Sequence, residues 1–401
     1  MRRRKALPLL IAVATGVIAG GCGARTPTPA PVPIPTQTEA IVSAVVWELF
    51  TDVDYRGPVQ RGAVPGAGQV AYLATMATLY RVENGRAQPI AERPEDEARL
   101  ALAPDGGVYA WLIPVSGWQG LFFVRLMDIS GGELAELKLE ECPYGFGALY
   151  LGFEGKLIVT VSPLSDWEGL EGGFLYTFWS RQGEKLWEVV LPRQLGFPDS
   201  TGTAIVLLGE EQAMAFSASG KELWQLVGHF RNAASARNGE LTLLNPAEAE
   251  AIDQVLIFDG SAEPTVVEVP TPVHDLIILP DGSRAVVVGD RGRYFYLDPV
   301  TAELQEGQPL PLDGTFHISD AEFLDSQTLA LGVLHRVGEP PNHTWPSGTI
   351  IVVNRAGDVA FQQEFPIREA IAFIPAIDVA FGSQVFIGFT EDTTILVDLG
   401  R

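Results

Sequence analysis

Thr394-Ile-Leu-Val-Asp-Leu-Gly-Arg401 is a strand running into the opening of a tight turn, and Ile41-Val-Ser-Ala-Val-Val-Trp-Glu-Leu-Phe50 is a strand with no sequential partner. Elsewhere the first pattern continues into a second strand, as in Ile351-Val-Val-Asn-Arg-Ala-Gly-Asp-Val-Ala-Phe361. A repeat whose last strand is supplied from the other end of the chain is the way a circular array of sheets closes. The two stretches together therefore predict one composite sheet and a ring.

Between them, short runs of β-branched and aromatic residues alternate with turn residues, and no long 3.6-residue period appears. One recurring turn is Asp105-Gly106, Glu154-Gly155, Asn238-Gly239 and Asp281-Gly282, with weaker versions at Asp325-Ser326 and Gly382-Ser383. Asp-Gly and Asn-Gly reach the positive φ that tight hairpins need. Each precedes an apolar strand, such as Val108-Tyr-Ala-Trp-Leu-Ile113. A second recurring unit is strand, glycine turn, strand: Phe178 to Trp187, Phe216 to Trp224 and Asn354 to Phe361. The aromatic four residues after the glycine is placed to pack on a neighbouring sheet.

The spacing of these marks, roughly 40 to 55 residues with four strands per unit, is that of a β-propeller. The fold expected is all-β, with four-stranded antiparallel blades starting near residues 57, 98, 146, 193, 231, 272, 316 and 369. Counting the strand at 41–50 into the last blade gives eight. Seven is the alternative, because the units near 193 and 231 are short.

The Gly-x-x-x-Trp units at Gly183 to Trp187 and Gly220 to Trp224 resemble the repeat of pyrroloquinoline-quinone-dehydrogenase-like (quinoprotein-type) propellers. Taken with the N-terminal segment described next, the chain is most similar to the non-catalytic bacterial propeller lipoproteins of that family. The resemblance implies a scaffolding role and no cofactor. Quinone-dependent members carry a vicinal disulfide against the cofactor, whereas this chain has two cysteines, Cys22 and Cys142, far apart.

Met1-Arg-Arg-Arg-Lys5 is a basic start, and residues 6–21 are an apolar run short for a membrane span. The run ends in Ile18-Ala-Gly-Gly-Cys22, which resembles the lipobox of bacterial lipoprotein signal peptides. Residues 1–21 are expected to be a removed signal and Cys22 to carry the lipid. Arg25-Thr-Pro-Thr-Pro-Ala-Pro-Val-Pro-Ile-Pro-Thr36 follows. Alternating proline fixes φ and removes donors, so residues 22–40 read as an extended tether of about 3.1 Å per residue. Residues 41–401 are the folded domain, and the expected location is the cell envelope, outside the cytoplasm and lipid-anchored.

Formal net charge is −23, and removal of Arg2, Arg3, Arg4 and Lys5 takes it to −27. Such a surface repels phosphate backbones, so nucleic acid is not an expected partner. Anionic lipid is disfavoured too, leaving the acyl group as the membrane contact. With Cys22 lipidated, no intramolecular disulfide or cysteine metal site can form. Five histidines (229, 274, 317, 335 and 343) show no zinc-protease spacing, and no Gly-x-Ser-x-Gly elbow is present. Asp52-Val-Asp-Tyr-Arg-Gly57 lacks the closing ligands of a calcium loop, and Pro94-Glu-Asp-Glu97 reads as an exposed connector.

Connections between second and third strands all leave one face of such a ring. Three are long and contain tryptophan: Trp118, Trp167 and Trp345, with Asp166, Glu168 and His343 nearby. These six residues are the candidate binding rim, since tryptophan joins a large apolar area to one N–H donor. The remaining tryptophans (47, 111, 179, 187 and 224) lie in strands and read as core.

The function expected is a protein-binding or scaffolding module for another envelope or extracellular protein. A propeller hydrolase or lyase acting on polysaccharide is the alternative. Innermost-strand candidates Arg99 to Ala103, Ala148 to Leu151 and Leu276 to Leu279 are mostly apolar, which weighs against catalysis. His274, Asp275, His317 and Asp320 flank such strands and weigh for it.

Overall fold

Ala44 pairs with Asp398, and antiparallel pairing continues to Phe50 opposite Thr393. The closing strand anticipated at residues 41–50 is thus present as Ala44–Phe50. The structure, a computed structural model, describes residues 44–50 and 59–399 apart from 65–69, 76–77, 85, 96–97, 116–119, 143–147, 165–172, 193–194, 210, 262, 339–343, 367–375, 379–384 and 390–392. Of the two units into which the chain divides, 1–40 and 41–401, only the second contains described residues.

Seven blades are each built from four consecutive antiparallel strands, spanning 59–92, 99–142, 148–191, 196–227, 230–268, 273–306 and 315–366. They are blades 1 to 7. An eighth four-stranded sheet joins the strands between 376 and 398 to Ala44–Phe50, which takes its outer position. The two counts weighed from the sequence, seven and eight, correspond to the consecutive blades without and with this composite one. The short units near 193 and 231 are complete blades.

The first strand of each blade lies innermost, and neighbouring first strands meet around the axis. Second strands are the most buried: Val108–Pro114, Ala204–Leu208 and Ala285–Gly289 are buried at every position. A strand covered on both faces needs a continuous apolar run, which is how these stretches read.

Between blades the core is aromatic where the glycine-turn units predict. The Trp187 ring lies 4.9 Å from Phe216 of blade 4 and 5.7 Å from Phe178 of its own blade. Gly220, at φ +76°, sits so close that an added Cβ would come within 2.5 Å of the Trp187 Cβ. Trp224 packs edge-on against Phe258 of blade 5 at 4.9 Å. Trp111, Trp179 and Trp224 are buried and Trp187 is half-buried, and Trp179 Nε1 donates to Thr160 Oγ1 at 2.9 Å. Each such ring removes an area worth about 1.5–3 kcal/mol from water.

The Asx-Gly turns do a second job at the face where first strands end. Asp105 Oδ1 accepts from Glu154 N at 3.0 Å, linking blades 2 and 3. Asn238 Oδ1 accepts from Thr203 Oγ1 at 2.6 Å, linking blades 4 and 5, and Arg237 Nε donates to the Asp281 carbonyl at 2.7 Å. Asn238 holds φ 59°, the left-handed conformation for which Asn is suited. The side chains of Trp47 and Cys142 lie outside the described residues, as do the whole of 52–57; Pro94 and Glu95 are exposed.

Candidate functional site

A β-bulge recurs in the first strand of blades 5, 6 and 7, between Phe230 and Asn232, Val273 and Asp275, and Ile318 and Asp320. A bulge leaves one residue unpaired and re-aims its neighbours. In all three, the residue after the bulge is Asn or Asp, and its Oδ1 accepts the next backbone N–H. The bonds are Ala233 N to Asn232 at 2.8 Å, Leu276 N to Asp275 at 2.8 Å and Ala321 N to Asp320 at 3.0 Å. Asn232, Asp275 and Asp320 all line a cavity of about 690 Å³ along the ring axis. Asn232 Nδ2 also donates to Asp275 Oδ1 at 3.1 Å, joining blades 5 and 6.

The opposite wall of that cavity is more apolar, with Tyr150, Asp199 and Ser200 as its polar side chains. Blades 2, 3 and 4 contribute Leu100, Leu149 and Phe197, all half-buried. Those three blades have no bulge in the first strand. The cavity has one side built around the Asx residues and one that is mainly apolar. Its described lining includes four carboxylates, Asp199, Asp275, Asp320 and Glu322, and no Lys, Arg or His. Asp199 is occupied by its own turn, accepting from Thr203 N and Ala204 N.

Above the bulges, where second-to-third-strand connections emerge, a row of side chains crosses blades 6 and 7. His274, the bulged residue, has Nε2 at 2.5 Å from Asp290 Oδ1. The His274 and His317 rings meet edge-on with centroids 5.3 Å apart, and Trp345 lies 6.3 Å beyond His317. On the blade 5 side, Arg231 donates to Asn245 Oδ1 and to the carbonyls of Ile252 and Val273. That guanidinium is a strut between blades 5 and 6.

Burial sets the proton affinities here. It pushes the Asp275 carboxyl up, against the lowering effect of the Asn232 and Leu276 N–H bonds. It pushes His317 down, helped by His274 and opposed by Asp290. Arg231 is lowered by burial as well, with Asp290 opposing. Burial and the neighbouring His274 thus favour the neutral imidazole of His317.

Of the six rim residues expected from sequence, Trp118, Asp166, Trp167, Glu168 and His343 lie outside the described residues, as does Cys22. Trp345 does not sit in a connection as expected: it is the second residue of strand Thr344–Asn354, half-buried and beside His317. Thr344 pairs with Val337, so the hairpin runs on past the expected loop boundary. His274, Asp275, His317 and Asp320, noted only as flanks of inner strands, belong to blades 6 and 7. Asp290 and Asn232 were missed. Asn232 and Asp275 each stand six residues ahead of an Asx-Gly turn, at Asn238 and Asp281, and that repeated spacing was a readable signal.

Among the described residues no group of three His, Cys, Asp or Glu side chains has metal-binding geometry. No protein-family model matches the chain. No curated protein matches it in sequence. Among solved structures, one described as the crystal structure of the eukaryotic initiation factor is similar with TM-score 0.45 and 14% identity, over 78% of this chain and 89% of that one.

Proposed function

We propose that the protein is a lipid-anchored, extracytoplasmic propeller that acts as a binding or scaffolding module for another envelope protein. One observation carries this reading. Trp345, His317 and His274 form a row of rings ending in Asp290 on the rim where the second-to-third-strand connections leave the wheel. A half-buried aromatic beside polar anchors, on a rigid ring with long connections, has the makings of an interface hot spot. The lipobox-like Ile18 to Cys22 and the proline-rich tether supply the anchoring part, and the Gly-x-x-x-Trp units the likeness to non-catalytic propeller lipoproteins.

A photo-crosslinking residue in place of Trp345 in intact cells should give a discrete adduct with one envelope protein. The same residue in place of Val227, 79% exposed on the outer strand of blade 4, should not. Equal labelling from both positions, or from neither, would remove the docking reading. Anchoring is tested separately: Cys22→Ser should move the protein out of the membrane fraction.

A second reading, a hydrolase or lyase acting on polysaccharide, draws on the His274–Asp290 pair. A histidine held by a carboxylate is the usual way to present a general base. His274→Ala abolishing turnover of an envelope polysaccharide, without loss of the Trp345 adduct, would favour it.

A further inference from the structure

We propose that the axial cavity below the rim binds a neutral, hydroxyl-rich small molecule, a mono- or disaccharide, held between the Asx arc of blades 5 to 7 and the apolar wall of blades 2 to 4. This goes beyond the docking reading and does not depend on it, because the cavity residues and the rim residues are different sets.

The chemistry is set by what each wall can offer. Asp275 and Asp320 are acceptors when ionised, and in each the Oδ1 atom is already tied to the following backbone N–H. Both bonds to Asp275 fall on Oδ1, and Oδ2 has no partner among the described residues. Asn232 buttresses this acceptor from the neighbouring blade, its Nδ2 donating to Asp275 Oδ1 and to the His274 carbonyl. A ligand meeting this wall has to present donors at the spacing of adjacent strands. Hydroxyl groups around a sugar ring do so, and the carboxylates are held by backbone bonds before any ligand arrives.

The facing wall asks for the opposite. Leu100, Leu149 and Phe197 offer no hydrogen bond from their side chains, so the ligand needs an apolar face as well. A pyranose has one, in its axial C–H groups. The volume, about 690 Å³, falls within the usual range for small-ligand sites and far exceeds the space one ion needs.

Charge excludes the anionic candidates. Four carboxylates with no Lys, Arg or His in the described lining repel uronates, phosphates and fatty acids. A small cation would meet the carboxylates but leave the wall of Leu100, Leu149 and Phe197 without an apolar partner, and the diamine control tests it.

The test is calorimetric titration of the full chain, solubilised in a detergent without a sugar headgroup. Probes are glucose, galactose, mannose, N-acetylglucosamine and their β-linked disaccharides, with glucuronate and 1,5-diaminopentane as charged controls. At least one neutral sugar should saturate, with affinity unchanged within about twofold between about 50 and about 500 mM NaCl. The double variant Asp275→Asn, Asp320→Asn should weaken that affinity by about tenfold or more. It should fold, because Asn232 shows that a carboxamide satisfies the same bulge; an unchanged thermal unfolding midpoint verifies this. If the double variant unfolds, Phe197→Ala on the facing wall serves in its place, with the same expected loss. No saturation by any neutral sugar overturns the proposal. So does equal affinity in the folded variant, or salt-sensitive binding of the diamine alone. Retention of the Trp345 adduct in the variant separates failure here from failure of the docking reading.

Discussion

Trp224 Nε1 donates to the carbonyl of Gly239 at 2.7 Å, a hydrogen bond that leaves blade 4 and ends in the first turn of blade 5. The same ring lies edge-on to Phe258 of blade 5. One side chain thus joins two blades by both apolar and polar contact, at a glycine-turn aromatic the repeat pattern already singled out.

Trp224→Phe keeps most of the apolar area and orphans the Gly239 carbonyl, so it should cost about 1–3 kcal/mol. Trp224→Ala should cost about 3–5 kcal/mol. Urea unfolding of both variants and the wild type at one pH measures the two losses, and a Trp224→Phe variant as stable as the wild type would show that the hydrogen bond contributes nothing.

Gly220→Ala should be more damaging than an ordinary surface glycine change. The residue is at φ +76°, and the new Cβ would meet the Trp187 Cβ at 2.5 Å. By contrast, Gly131 at φ +93° has nothing within 4 Å of its added Cβ. Backbone conformation penalises both, while only Gly220→Ala also displaces the ring packed between blades 3 and 4. A drop in thermal midpoint larger for Gly220→Ala than for Gly131→Ala is the expected result.

Stability should fall as pH drops below about 6.5, the ordinary histidine value. His317 is lowered in the folded state, so below that pH the unfolded chain binds more protons and gains relative to the fold. The loss levels off once pH passes below the folded-state value. In His317→Gln this segment of the stability-pH curve should flatten, as followed by thermal unfolding between pH 5 and pH 8.

Asp275 has the opposite sign. Its folded-state affinity for a proton is raised by burial, so the fold binds more protons than the unfolded chain in the window above the ordinary carboxylate value. Stability from this group is present at low pH and declines as pH rises through that window. At pH 7 Asp275→Asn should therefore leave the protein as stable as the wild type or more so, and the same unfolding scans read it.

Most of the wheel was legible because its signals are local. Asp-Gly and Asn-Gly turns, alternating strands and the Gly-x-x-x-Trp spacing each report on a few neighbouring residues, and the blade starts they imply fall within a few residues of those observed except near 369, where the strand begins at Ala376. The site was harder. His274 reaches Asp290 across a hairpin, and it reaches His317 only because two blades lie side by side. Nothing in a sequence period encodes such lateral neighbours. The Asx arc is intermediate: its residues repeat with the blades, but a bulge is needed to turn them inward, and bulges leave no residue signature. Trp345 was misplaced because a hairpin that extends past its apolar core looks like loop when read as composition.

The pairing of Ala44 with Asp398 has a consequence for how the molecule assembles. The first strand must wait for nearly all the rest of the chain to be made and folded before it finds its place. Bringing such distant segments together carries an entropic cost that grows with the logarithm of the separation, and topologies of this kind mature slowly. Until that final stitch, strand Thr393–Asp398 presents a bare edge that the leading strand of another copy fits equally well. Refolding yield should then decline with concentration, through swapped dimers that exchange this one strand.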